Sequence, residues 1–263
     1  MPPSARASAC MLNYTDRVRI LMEDIVCRVP ALSFIDMRDV LVFARLGRTR
    51  AHGAFATCHS LTVPDSEPAY YFWRDRRTGS LSRRSEWFVM RSPQVRIGSA
   101  RVKYLISLTL PRFADQSLKG SRKEDVYRGY ESWVAKLDTI VHELYHIDPA
   151  DSGIRKSVRG DGRPAEVTHT AQFFRDVANM AQEYLRSRPD PAVYEFLRHD
   201  FADLSQRHGI IVGTTFRTYP SFPQRYRMRL TDQPRAPRVP QVVPMGDPRH
   251  PAAYTDADLE LRA

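Results

Sequence analysis

The sequence predicts an α+β fold, and three features of its order carry that prediction. An amphipathic segment opens the chain at 12–28, and short runs rich in Val, Ile, Phe and Tyr follow between 34 and 110. From 122 onward the apolar residues recur at steps of three or four, not two. Strands first and helices later argue for segregated layers of sheet and helix, not for alternating βαβ units.

The first helix is expected over 12–28 (LNYTDRVRILMEDIVCR), where Val18, Leu21, Ile25 and Val26 share a face and Thr15 or Asp16 is placed to cap the start. Strand-like runs follow at 34–47, 54–63, 69–73, 86–90 and 101–110, with an exposed hairpin loop at 75–84. A helix is expected over 122–147, from the spacing of Val126, Tyr130, Trp133, Val134, Leu137 and Val141, and DPADSG stops it. Pro164 suits a first helical position and opens a helix over 164–187. Another is expected over 191–208, ending at Gly209. The division is therefore one domain over 1–216 and a tail over 217–263, extended, partly disordered or wrapped on the surface, which carries eight prolines in 47 residues.

At 263 residues, 42% of them apolar, the chain can bury a sizeable core. Its three cysteines (Cys10, Cys27, Cys58) make neither a disulfide framework nor a CxxC clip, which favours a reducing compartment. No stretch approaches the 18 apolar residues of a membrane span, and the N-terminus lacks the long apolar core of a secretory signal. The expected setting is cytoplasmic, without a membrane partner. The formal charge of +10 favours acidic partners.

Chemistry concentrates in TIVHELYHID, residues 139–148. On a helix, residues four apart share a face, with Cβ atoms about 5–6 Å apart. His142 and His146 can therefore aim a nitrogen each at one metal ion, and zinc takes imidazole nitrogen at about 2.0–2.1 Å. Glu143, one residue along, is placed to move protons between a water and a leaving amine. The bland alternative is two surface histidines with a glutamate between them. The uncharged flanks Thr139, Ile140, Val141 and Ile147 favour the site.

Catalytic zinc normally has three protein ligands and one open position. No histidine follows at the HExxHxxGxxH spacing. Glu166 lies 20 residues after His146, a separation found in thermolysin-like enzymes, but Thr170 stands where their ExxxD pattern has an acid. His169, followed by Phe173 and Phe174, is the other candidate, and whichever of the two is not a ligand could orient the one that is.

With HELYH, the downstream GDGR…H…FF and the upstream RVKYLISLTLPRF in view, residues 12–210 resemble the phage-type metallopeptidases, a zincin group related to the SprT-like enzymes. The resemblance implies a small zincin-like α+β domain with a sheet over the HExxH helix. It also implies a zinc-dependent peptidase with ligands His142, His146 and His169 and general base Glu143. The substrate would be a protein or peptide, in a bacterial host or encoded by a phage. An edge strand, 104–110 or 54–63, could pair with an extended peptide. Tyr145, Arg163, His208 and Tyr219 are conceivable transition-state donors without a positional argument.

Residues 41–125 carry 16 Lys or Arg against 7 Asp or Glu, with Tyr70, Tyr71, Phe72, Trp73, Trp87 and Phe88 interleaved. Such a mixture suits single-stranded nucleic acid, although strand alternation produces the same pattern. The competing function is therefore a basic, nucleic-acid-associated protein, either a protease acting on DNA-bound proteins or a zinc-stabilised binding module without catalysis. His52, His59, His199, His208 and His250 have no ligand spacing.

Overall fold

The computed structural model describes residues 11–47, 53–61, 70–71, 88–91, 94–121, 123–150, 153–155, 168–217, 226–230, 242–244 and 253–263. Among these the chain is a mixed α+β structure with small sheets and five α-helices. In order, the helices are α1 (Tyr14–Arg28), α2 (Val134–Tyr145), α3 (Ala171–Arg186), α4 (Pro191–Tyr194) and α5 (Phe201–His208). The first strands are β1 (Met11–Asn13), β2 (Val40–Leu46), β3 (Ala56–Ser60), β4 (Tyr70–Tyr71), β5 (Phe88–Arg91), β6 (Gln94–Ile97), β7 (Ala100–Val102) and β8 (Tyr104–Leu110). Then follow β9 (Ile210–Phe216), β10 (Tyr226–Leu230), β11 (Val242–Pro244), β12 (Ala253–Tyr254) and β13 (Leu259–Arg262). No helix among the described residues is long and apolar enough to cross a membrane.

The sheet that positions the site has the order β2-β8-β3, with β2 parallel and β3 antiparallel to β8. Alternation sorts its side chains between two clusters. Val40, Val42, Ala44, Ala56, Tyr104, Ile106, Leu108 and Leu110 join the main core with α1, α2 and α3. Phe43 and Leu105 face the other way, onto Val95, Val102, Phe216 and Tyr254. Burial on both sides explains why YLISLTL is nearly continuously apolar. It also corrects the expectation that 104–110 is an edge strand: among the described residues β8 is central, and β3 is one of the sheet's two edges.

Sequence and structure differ instructively at the helix boundaries. Asn13, not Thr15 or Asp16, caps α1, its Oδ1 facing the Asp16 N–H. The helix expected from 122 begins at Val134. Gly129 takes φ +87°, which L side chains rarely adopt, and the chain turns there. Val126 and Tyr130, counted as core by spacing, are exposed, whereas Tyr127 is buried. The helix expected over 191–208 is broken into α4, a 3₁₀ turn (Glu195–Arg198) and α5, because Asp200 caps a new start by accepting from the Asp203 N–H at 2.8 Å. Gly209, at φ +74°, ends α5 as expected.

The end of the stretch read as a tail lies on the domain. β13 pairs antiparallel with β9, and β12 pairs with β6. The Tyr254 ring fills the second core against Phe216 at 5.2 Å. β9 also approaches β2 closely, and a Cβ at Gly213 would lie 2.5 Å from that of Ala44.

Candidate metal centre

Helix α2 is buried on nearly all sides, so each of its polar groups needs a partner. Lys136 donates to the carbonyls of Leu197 (2.9 Å) and His199 (2.7 Å). Asp138 takes Lys123 at 2.5 Å and the Tyr127 hydroxyl at 2.6 Å. Thr139 exchanges hydrogen bonds with Gln116 and accepts from Lys123 at 2.7 Å. These contacts hold the helix that presents HELYH.

Helix α3 packs on α2 and buries Phe173, Val177, Met180, Ala181 and Tyr184, a stripe at helical spacing. Its cap is Thr170, whose side chain accepts from the Phe173 N–H at 3.2 Å. His169 therefore precedes the helix, and the expected helical start at Pro164 lies outside the described residues. The cap turns His169 towards the end of α2, so residues 23 and 27 apart in sequence meet.

The Nε2 atoms of His142, His146 and His169 form a triangle with edges of 3.1, 3.1 and 3.0 Å. Zinc–nitrogen bonds of about 2.05 Å at the tetrahedral angle put nitrogens about 3.3 Å apart. Three converging imidazole nitrogens cannot satisfy one another, since a neutral ring carries only one N–H. A cation between them resolves the conflict, and this trio could hold a metal ion. An all-imidazole set suits zinc, copper, nickel or iron, more than magnesium or calcium.

The surroundings support ligation at neutral pH. Burial, with the neighbouring rings adding to it, pulls His142 down to about 3 and His146 down to about 4. Burial lowers His169 as well. All three are thereby kept neutral with lone pairs available. The Phe173 ring lies against all three, at 5.0, 5.0 and 5.2 Å from His142, His146 and His169. Phe174 stacks on His169 at 5.8 Å and stays half exposed. His146 is buried, His142 half-buried and His169 exposed, so the cluster opens to solvent on the His169 side.

No family model, curated protein or solved structure matches this chain. The site's chemistry is therefore argued from its own residues.

Glu143 lies one residue, about 100°, around α2 from His142. It is buried, and its carboxyl group lies near the backbone N–H of Cys58 on edge strand β3. Burial pushes it up to about 7, against the pull of the Cys58 N–H, Lys123 and Arg45. A carboxyl group poised near neutrality can both take and return a proton. The β3 register explains the contact. Phe55 and Leu61 are bonded to the β8 side, so the alternate residue Cys58 turns its N–H outward.

Of the other candidates, Glu166, Arg163 and Tyr219 lie outside the described residues, as do His52, His250, Phe72, Trp73 and Trp87. Tyr145 donates to Asp176 at 3.0 Å. His208 ends α5, and its side chain is not among the metal-competent cluster. In the basic segment, Lys103 and Lys123 are engaged with Asp39 and Asp138. Two features had no signal in the sequence. One is the backbone donor at Cys58, which depends on register. The other is Arg155, whose guanidinium lies 4.2 Å over the Tyr145 ring.

Proposed function

We propose that this chain is a zinc-dependent peptidase of the zincin type, as the likeness to phage-type metallopeptidases implies. The observation that carries the reading is the convergence of three Nε2 atoms beside a buried glutamate. His142, His146 and His169 would hold the ion, at a cluster exposed on its His169 side. When bound, zinc supplies Lewis acidity and lowers the pKa of water to about 7. Glu143 would serve as the general base that takes a proton from the attacking water and later returns it to the leaving nitrogen. An extended peptide is the natural substrate, because the outer side of β3 can take another strand.

The test is Glu143→Gln. Zinc content should stay at one per chain while hydrolysis of unfolded casein falls by about 10²–10⁴-fold. Casein left intact by wild type and variant alike, with zinc retained by both, would leave a metal-stabilised binding module as the better description, and equal hydrolysis by the two would take the general-base role away from Glu143.

A further inference from the structure

We propose that Arg155 is a substrate-binding residue that takes a carboxylate group of the peptide lying over the metal centre. The peptidase reading supplies the substrate. The unfilled donors come from the structure alone.

Arg155 is tied to the end of the HELYH helix. Its N–H donates to the His146 carbonyl at 2.7 Å, and Ile154 bridges to Ile147. Its guanidinium packs 4.2 Å over Tyr145 and 5.8 Å from Phe34. Tyr145 packs in turn on Phe173, the ring beneath the three histidines, at 5.0 Å. Yet among the described residues Nε and Nη2, both buried, have no hydrogen-bond partner. Among the described residues Arg155 forms no ion pair. The carboxylate beside Tyr145, Asp176, is taken by the Tyr145 hydroxyl at 3.0 Å and by Gln172 at 2.6 Å.

Buried guanidinium donors left empty are costly, and an aromatic face does not replace their hydrogen bonds. A carboxylate fits Nε and Nη2 as a two-pronged acceptor. Such a group reaches the site from the peptide's free C-terminus or from an acidic side chain near the scissile bond.

Zinc-loaded Glu143→Gln protein, which binds without turnover, separates these sources by calorimetric titration. The probes are N-acetyl-Phe-Ala, its C-terminal amide and N-acetyl-Phe-Glu-amide. At least one acid should bind about tenfold or more tightly than the neutral amide, as expected for hydrogen bonds to a charged group. The tighter one names the source. Adding Arg155→Gln or Arg155→Met should erase the preference, with zinc content and thermal unfolding measured alongside. Methionine keeps a stem packed on Tyr145. Equal binding of all three probes would overturn the proposal. So would a preference that survives both variants, which would put the carboxylate on the metal. Failure of the peptidase reading would appear separately, as casein left intact by the wild type.

Discussion

The Nε2 atoms of His146 and His169 lie 3.0 Å apart although 23 residues separate them in the chain. One ring is fixed by the last turn of α2, the other by the residue just ahead of the Thr170 cap of α3. The ligand set thus depends on how two helices pack, and Phe173 is the ring between them.

The purified protein should contain one zinc per chain. His169→Ala removes one of three nitrogens and should weaken zinc by at least about 100-fold, beyond the 10–100-fold typical of losing an orienting partner. Glu166→Ala should retain the metal. Elemental analysis of the three proteins, dialysed against a graded chelator, checks this. Zinc retained by His169→Ala but lost from Glu166→Ala would exchange their roles.

Acid should destabilise the metal-free protein. His142 and His146 are held at about 3 and about 4, below the ordinary 6.5. Their stabilising effect is present above 6.5 and lost as pH falls towards 4, because the unfolded chain binds the protons more readily. Glu143, raised from 4.5 to about 7, acts in the opposite sense and gains stability as pH falls through 7. From pH 7 to 5 each histidine costs about 2 kcal/mol and Glu143 returns about 2, a net loss of about 2 kcal/mol. In Glu143→Gln the return is absent, so the loss should double. Urea titrations at the two pH values measure both slopes. A variant slope no steeper than the wild type's would contradict the assignment.

Lys136 should matter for stability more than its type suggests. It is buried within α2, and burial pulls its ammonium down to about 8. It serves the Leu197 and His199 carbonyls, which end the 3₁₀ turn before α5. Lys136→Met keeps the stem but strands both acceptors, at a cost of about 2–4 kcal/mol. Denaturant midpoints at constant m-value test this. A change under about 0.5 kcal/mol would mean that water replaces the ammonium.

Legibility followed the range of the interaction. His142, Glu143 and His146 lie within one helical turn, so spacing alone puts both imidazoles on one face. The face of α1 was likewise readable from Val18, Leu21, Ile25 and Val26, all buried. The start of α2 was not, because Gly129 adopts a turn that apolar spacing does not register. The pairing of β12 and β13 was not legible either, because prolines between short strands do not reveal that Tyr254 has a hole to fill beside Phe216.

What the sequence by itself determined is the local chemistry: an α+β order of elements and an imidazole pair with a carboxylate beside it. These follow from bonded geometry, which repeats every few residues. Only the tertiary structure decided that His169 meets that pair, that β3 brings the Cys58 N–H beside Glu143, and that Arg155 keeps empty donors nearby. Each depends on which helix face and which strand edge come together. That choice is made by burying the whole apolar core at once, and no short stretch of the chain encodes it.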